Sequence, residues 1–317
     1  MAIPNWLSLS QVSGSGDTVI TITADTYTEL TARTASLVIS GHTKSVTVPV
    51  TQDAYVPPQP DYLTLTAGSS GGVVNWKLVL TSTGQTRTIS YSKNGTDWYQ
   101  ITSSTGGTTV VLNPNESIKL KGTNSSYGKY NQWWNGFEDS TGIVKVSGNI
   151  MSLIKGDNFE QDPNFSNSGT SAAFLKMFRN MTSLQSSGEL VLPSDYVPTY
   201  GYAYLFAGCS NMTDCPSELP ATGLTTQCYD AMFANCSGIT TAPVLVAQTI
   251  RNYCYDTMFW HCSSLNYIKC LATNPSPDTC EGWVTGVAAS GTFVKDASTT
   301  WGTGTSSIPS GWTVVNV

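Results

Sequence analysis

The sequence predicts a multidomain, mainly β protein in which two small β-sandwiches precede a short α/β solenoid with a C-terminal β cap. Alternating β-branched runs fill the first half of the chain, and a Pro-rich segment interrupts them. In the second half a nine-residue pattern recurs at spacings of 28, 27 and 26 residues. These three observations predict a first sandwich, a linker, a second sandwich, the solenoid and the cap, at residues 1–54, 55–61, 62–165, 166–290 and 291–317.

The composition argues against two classes of partner. Charged residues make up 11% of the 317 residues, against about 25% in an average soluble domain. A net charge of −6 and an isoelectric point near 4.8 leave no basic surface for nucleic acid. No apolar run approaches the roughly 18 residues that a membrane-spanning helix needs. We therefore expect neither nucleic-acid binding nor membrane insertion.

The first segment is predicted to be a small antiparallel sandwich. Its strand-like runs are TVITITAD (18–25), ARTASLVIS (32–40) and KSVTVPVTQ (44–52), which are separated by turn clusters. The stretches WLSLS (6–10), SGSGD (13–17), RTASLVIS (33–40) and VTVPVTQ (46–52) resemble the BACON domain, an Ig-like module common in gut Bacteroidetes proteins. We interpret Trp6 as a packing residue rather than a sugar-stacking platform.

A short, stiff linker and a second sandwich follow. YVPPQPD (55–61) is Pro-rich, so it holds the two domains at a fixed spacing. Residues 62–155 contain about seven strand-like runs at turn spacings that suit a second sandwich. This pattern resembles the Ig-like modules that precede leucine-rich repeats in Bacteroidales surface and phage proteins.

An aromatic stretch at 123–140 interrupts the strand pattern and is the candidate ligand-binding site. Flat aromatic faces suit the C–H surfaces of sugars, and amide or carboxylate groups suit their hydroxyls. The alternative is a long loop that its own aromatic side chains anchor. The candidate binding residues are Tyr127, Tyr130, Trp133, Trp134 and Phe137.

The recurring nonapeptide predicts a short helix in every repeat. The copies are AFLKMFRNM (173–181), GYAYLFAGC (201–209), CYDAMFANC (228–236) and CYDTMFWHC (254–262), and a degenerate fifth copy begins at Cys280. Apolar residues at offsets 0, 1, 4, 5 and 8 trace one face of an α-helix. We therefore expect inward-facing columns of side chains, which are Phe178, Phe206, Phe233 and Phe259 together with Cys209, Cys236, Cys262, Cys228 and Cys254.

The repeat, with its F-x-x-C-x-x-L arrangement and following Pro, resembles the BspA-like leucine-rich repeat over about residues 170–285. The resemblance implies a leucine-rich-repeat solenoid. GTFVK (291–295) and IPSGWTV (308–314) look like the ending often seen after such repeats, and they would cover its last open face.

The cysteines are expected to be buried, reduced thiols. Two cysteines eight residues apart on one helix would lie about 12 Å apart, beyond the roughly 7 Å limit for the Cα atoms of a disulfide. Equivalent cysteines on neighbouring helices would lie about 8–10 Å apart, which is also too far. The sequence contains no C-x-x-C, and His42 and His261 are its two histidines, so a zinc site is not expected.

We predict no enzyme, no catalytic residues, no metal and no cofactor. H-E-x-x-H is absent, and neither histidine has a sequence-level partner. Adjacent helix positions would point His261 and Cys262 in different directions. Asp157, Glu160 and Asp162 match no complete calcium loop and are better interpreted as an Asx-rich turn.

These expectations converge on a non-enzymatic phage virion protein, such as a head fibre, capsid decoration or tail-associated adhesin. The N-terminus MAIPNWLSLSQVSGSGD has neither a signal peptide nor a lipobox Cys, which favours folding in the host cytosol and release in the virion. The expected partners are other capsid or tail proteins, a glycan or host-surface ligand, and further copies of the chain in a homo-oligomer. Two alternatives remain open: a secreted carbohydrate- or protein-binding surface module of a gut bacterium, and a ligand-free capsid spacer.

Overall fold

The computed structural model describes residues 7–10, 13, 20–24, 33–40, 44–52, 61–165, 171–193 and 195–317. Over these residues the predicted mainly β fold is confirmed. The chain divides into two compact units, Met1–Gln59 and Pro60–Val317. Trp6, His42 and most of the predicted linker lie outside the described residues.

Two antiparallel strand pairs make up the described part of the first unit. Strand β1 (Leu7–Leu9) pairs with β2 (Ile22–Ala24), and β3 (Arg33–Ser40) pairs with β4 (Ser45–Gln52). The β-branched residues of these runs favour extended backbone. Leu7 and Leu37 supply buried side chains.

The second unit begins with two antiparallel sheets, built from strands whose apolar residues alternate. In β5, for example, Leu63, Leu65 and Ala67 are buried, and the intervening Thr side chains are partly exposed. The strands of this region are β5 (Leu63–Ala67), β6 (Gly72–Leu80), β7 (Thr88–Ser92), β8 (Tyr99–Thr102), β9 (Thr108–Leu112), β10 (Ser117–Lys121), β11 (Gly128–Lys129), β12 (Trp133–Gly136) and β13 (Ile143–Asn149).

Both sheets contribute to one core. One sheet has the order β13-β5-β10-β7-β8 and the other β11-β12-β6-β9. Trp76 on β6 is fully buried between them, and its indole N–H donates to the Arg87 carbonyl at 2.8 Å. The same cluster of buried residues runs on through the repeats as far as Trp312.

Helix is confined to two short segments within the described residues. These are α1 (Ser152–Lys155) and a 3-10 turn at Gly156–Asn158. Among the helices of the described residues, none has the length and apolarity to cross a membrane.

Short parallel strands connect the repeats. They are β14 (Leu190–Val191), β15 (Tyr196–Val197), β16 (Glu218–Leu219), β17 (Gly223–Leu224), β18 (Val244–Leu245), β19 (Tyr267–Cys270), β20 (Thr292–Lys295) and β21 (Thr313–Asn316). Strand β14 pairs with β13, and β15 pairs with β17. Strands β16, β18, β19, β20 and β21 form one parallel sheet in that order, which gives the C-terminal region a β-solenoid-like form.

The helix predicted for each nonapeptide is wrong. The corresponding residues form four chains of tandem turns, which we name the turn segments: residues 172–181, 200–209, 227–236 and 253–262. In each of them the first, fifth and ninth residues have positive φ, between 46° and 82°. An α-helix requires negative φ throughout, so the chain turns every four residues without becoming helical.

Alternate amides of a turn segment donate to different acceptors. The amides of Phe174 and Phe178 donate to carbonyls of the next turn segment at 2.8 and 2.9 Å, whereas those of Met177 and Met181 donate three residues back at 3.2 and 3.3 Å. The other turn segments repeat this alternation. Adjacent segments are thus hydrogen-bonded like neighbouring strands, about 4.8 Å apart, rather than packed like helices at about 8–10 Å.

Two columns of aromatic rings run through the interior. Phe178, Phe206, Phe233 and Phe259 are fully buried, with successive ring centroids 5.4–5.8 Å apart. The second column contains Phe174, Tyr202, Tyr229 and Tyr255, at 5.8–6.2 Å. Both columns reach Trp283. Stacking of this kind contributes about 0.5–1.5 kcal/mol per pair beyond burial.

The close spacing of the turn segments also corrects the predicted separation of the cysteines. Cys228 and Cys254 occupy equivalent positions in adjacent segments, and their Sγ atoms lie 2.8 Å apart. All eight cysteines are free thiols; seven are buried and Cys215 is partly exposed.

Candidate functional site

The outward side of the turn segments carries the candidate site, and we name this surface the turn face. The third and seventh residues of each segment form the inward aromatic columns, whereas the fifth and eighth residues lie on the turn face. The fifth positions hold Lys176, Tyr204, Ala231 and Thr257, and the eighth positions hold Arg179, Ala207, Ala234 and Trp260.

A groove of about 280 Å³ crosses the turn face. Its floor contains Ala207, Ala231 and Ala234, which pack together against the Tyr204 ring. Small side chains keep this floor low, while Tyr204 and the 37% exposed Trp260 form aromatic walls. The groove therefore combines an apolar floor of small side chains with two aromatic side walls.

Polar groups complete the lining of this groove. Asn180 and Asn235 place exposed amides beside it, and Arg179 adds a cation. Glu138, from the aromatic stretch, accepts hydrogen bonds from Asn180 Nδ2 at 3.0 Å and Arg179 Nη1 at 3.4 Å. These contacts hold the Asn180 amide and the Arg179 guanidinium in defined orientations.

Lys176 links the groove to the aromatic stretch. Its Nζ lies 4.1 Å from the centroid of the Trp134 ring and 5.3 Å from that of Tyr204. Burial lowers the pKa of Lys176, and the nearby charge of Arg179 lowers it further. Cation–π contacts of this kind offset part of the cost of burying the ammonium group.

A stacked pair of tyrosines continues the same surface. The Tyr130 and Tyr200 rings are nearly parallel, at an interplanar angle of 7°, with centroids 4.0 Å apart. Both rings are half-buried and pack against the cluster that contains Trp134. Burial raises the pKa of the Tyr130 hydroxyl, so it remains a neutral donor and acceptor.

Two carboxyl groups lie on adjacent turn segments of this face. Asp230 is buried, and Thr257 Oγ1 donates to its Oδ1 at 3.4 Å. Burial first, and then the charge of Asp256, raise the pKa of Asp230 to about 7. Burial and the charge of Glu281 raise the pKa of Asp256 as well. Near neutral pH the Asp230 carboxyl can therefore donate as well as accept a hydrogen bond.

The structure distributes the five predicted binding residues over two environments. Tyr127 and Phe137 are fully buried, where they stack on Phe174 and Phe178 and start the two aromatic columns. Because neither ring has an exposed face, the prediction that these two rings stack on a ligand is wrong; they anchor the loop, as the alternative interpretation held.

The other three predicted residues lie nearer the surface. Trp133 and Trp134 are each 6% exposed. The Arg87 guanidinium lies 5.0 Å from the centroid of the Trp133 ring, whereas Trp134 and Tyr130 contact residues of the turn face. Of the five, Tyr130 and Trp134 thus contact the turn face, and neither of them lines the groove.

Tyr204, Trp260, Lys176 and Asp230 were missed by the sequence reasoning. Tyr204, Trp260 and Lys176 occupy outward positions of the repeat, where the residue type changes from one copy to the next, and Asp230 directly precedes the outward Ala231. The sequence did contain one signal. The inward Phe position is the same in all four copies, whereas the outward positions vary and include two aromatic residues, Tyr204 and Trp260.

Other candidate chemistry has local partners. The Asp157 carboxylate accepts from Tyr62 Oη at 2.7 Å and from Lys121 Nζ at 2.8 Å, and Asp162 pairs with Lys155. Cys262 donates to the Phe233 carbonyl at 3.0 Å, and burial raises its pKa. Across the described ranges, no group of three or more His, Cys, Asp or Glu side chains could hold a metal ion.

Comparison with known proteins identifies one region of the chain. Residues 3–53 match the BACON family model, whose description is "Putative binding domain, N-terminal". Comparisons with the curated proteins and with the solved structures gave no match. The N-terminal resemblance is thereby confirmed for its own segment.

Proposed function

We propose that the protein is a non-enzymatic binding protein whose turn face binds a glycan. The observation that carries this proposal is the groove with an alanine floor and walls formed by Tyr204 and Trp260. The C–H face of a pyranose ring packs well on an aromatic ring, and a low floor lets the sugar approach it.

The polar lining supplies complementary hydrogen-bonding groups. Asn180 and Asn235 offer amide donors and acceptors, and Arg179 offers guanidinium donors. Sugar hydroxyls require both kinds of partner. Since the groove lies on hydrogen-bonded turn segments, these groups are held in place before a ligand arrives, which lowers the entropic cost of binding.

Three finer assignments are part of the same proposal. We assign the repeats to a BspA-like leucine-rich-repeat solenoid and the strand regions before them to Ig-like sandwiches. The setting that we favour is a phage virion, in which the protein is a head fibre, capsid decoration or tail-associated adhesin. Its partners would be other virion proteins and further copies of itself. The N-terminal match to a family described as a binding domain is consistent with a display role of this kind.

The binding proposal can be tested with the full chain on an array of neutral and acidic oligosaccharides, followed by calorimetry on any hit. Trp260→Ala and Tyr204→Ala should each weaken binding at least about 10-fold, because buried aromatic anchors dominate such interfaces. Tyr99→Ala is the matched control: Tyr99 is a 58% exposed aromatic on β8, outside the groove, and its loss should leave affinity unchanged.

The outcomes separate the candidate functions. Failure to bind any glycan on the array would overturn the glycan proposal and favour a ligand-free spacer. Equal losses of affinity for Trp260→Ala and Tyr99→Ala would remove the groove as the site. Detection of the chain in purified virions tests the setting, and its recovery from a bacterial surface would instead support a secreted binding module.

A further inference from the structure

Five of the seven buried cysteines fall into two classes by what their thiols contact. Cys209, Cys236 and Cys262 each donate to a backbone carbonyl of the preceding turn segment, at 3.1, 3.2 and 3.0 Å. Cys228 and Cys254 instead contact each other, with a separation of 2.8 Å between their Sγ atoms. This second class is the group on which the inference rests.

The distance between the Sγ atoms of Cys228 and Cys254 is longer than a disulfide bond and shorter than an ordinary packing contact. A disulfide bond measures about 2.05 Å, whereas even two non-bonded carbon atoms pack best at about 3.5–4.0 Å. Both side chains are fully buried, so water does not separate them. Closing the remaining gap to a covalent bond requires less than an ångström of movement.

The backbone at this pair also suits a cross-link. The amide of Tyr229 donates to the Cys254 carbonyl at 3.2 Å, so the two turn segments are hydrogen-bonded at this level. Hydrogen-bonded neighbouring chains lie about 4.8 Å apart, and the Cα atoms of a disulfide lie about 4.4–6.8 Å apart. The two segments therefore need no rearrangement to accommodate the bond.

We propose that Cys228 and Cys254 are a built-in cross-linking site, which closes to a disulfide when the folding chain meets a small disulfide oxidant such as oxidised glutathione. One Cys thiolate attacks the oxidant, forms a mixed disulfide and releases one glutathione thiolate. The second Cys thiolate then attacks the protein sulfur of that mixed disulfide and releases the other glutathione. Overall, the two thiols lose two electrons and two protons, and one oxidised glutathione becomes two reduced molecules.

Burial determines when this reaction occurs. The folded solenoid leaves no exposed surface on either thiol, so oxidant must reach them during folding or during opening of the adjacent turn segments. The other three thiols named above have carbonyl acceptors rather than a thiol neighbour at this distance. The cross-link should therefore be selective for this pair over Cys209, Cys236 and Cys262.

The test is to refold the full chain in glutathione buffer, in parallel with a fully reduced sample, and to titrate thiols after denaturation. All eight cysteines should react in the reduced sample and six in the oxidised one. Cleavage at Arg251, followed by a chymotryptic digest, separates Cys228 from Cys236 and Cys254 from Cys262. Mass spectrometry should then find Cys228 linked to Cys254, which requires no variant to fold.

Variants supply the matched comparison. Cys254→Ser should leave seven reactive thiols whether or not oxidant is present, whereas Cys236→Ser should fall from seven to five on oxidation. The oxidised wild type should melt roughly 5–10 °C above the reduced form, and dithiothreitol should abolish the difference. Eight reactive thiols after oxidative refolding, or a linkage between any other two cysteines, would overturn the proposal.

Discussion

The inward and outward sides of the turn segments share one backbone but differ in how far their residue types vary. The equivalent inward positions hold Phe178, Phe206, Phe233 and Phe259, all fully buried and stacked. Two residues earlier in each segment, the outward positions hold Lys176, Tyr204, Ala231 and Thr257. A column of rings at a fixed spacing requires one size and shape at every level, and the outward side has no such requirement. A repeated core side chain and a variable surface side chain therefore lie two residues apart in each segment.

Removing one ring from the inward column should produce the largest effect. We expect Phe206→Ala to lower the free energy of unfolding by about 3–5 kcal/mol, because it removes buried surface and leaves a cavity between Phe178 and Phe233. Urea unfolding of the full chain measures this change. Tyr204→Ala, two residues away on the turn face, is the control and should cost much less. Equal destabilisation by both variants would contradict the division between the two sides.

A change at a turn position should have an intermediate effect. Gly208 has a φ of +82°, and a Cβ added there would lie 2.2 Å from Asn180 Oδ1. We expect Gly208→Ala to lower the free energy of unfolding by about 2 kcal/mol, because both backbone strain and this contact oppose the new methyl group.

Two further variants test whether the left-handed backbone causes this cost. Gly106→Ala is the matched control, since an added Cβ there meets no atom within 4 Å and its φ is not positive. Gly208→Asn should introduce less backbone strain than Gly208→Ala, because Asn has a positive φ at the equivalent positions 180 and 235. If Gly208→Ala unfolds at the same urea concentration as wild type, the positive φ at position 208 does not make an added Cβ costly.

The repeat spacing and the inward residues could be predicted from the sequence, but the local conformation could not be predicted from apolar pattern alone. Offsets 0, 1, 4, 5 and 8 fit a helix of 3.6 residues per turn and a turn chain of four residues almost equally well over nine positions. The distinguishing signal lay in the ninth position of each turn segment, which holds Asn180, Gly208, Asn235 and His261. These residue types tolerate left-handed backbone, which a helix never uses.

The candidate site was only partly predictable, for a different physical reason. Sequence shows that the 123–140 stretch is aromatic, but the direction of each ring depends on neighbours from distant repeats. Tyr127 and Phe137 stack on Phe174 and Phe178, which are the first rings that the repeats contribute to the two columns. The groove combines residues from all four turn segments, so no single repeat contains a recognisable motif.

The smallest expected effect concerns a buried carboxyl group of the turn face and depends on pH. Burial and the charge of Asp256 raise the pKa of Asp230 to about 7, above the value of about 3.9 in an unfolded chain. The folded state therefore holds this proton more tightly. The resulting stabilisation is fully present below about pH 4 and is lost as the pH rises to about 7.

Asp230→Asn should remove this contribution while preserving the shape of the side chain. Between pH 6 and pH 8 the wild type should lose about 1–2 kcal/mol more unfolding free energy than the variant, because the folded-state carboxyl releases its proton over this range and one unit of pKa difference corresponds to about 1.4 kcal/mol. The pKa of about 7 already includes the Lys176 charge and the hydrogen bond from Thr257, which favour the ionised form. Urea unfolding at the two pH values measures the difference between the two proteins. Parallel losses of stability in both proteins would contradict this prediction. They would show that the Asp230 carboxyl has the same pKa in the folded and the unfolded chain, and that the turn face accommodates its buried charge without loss of stability.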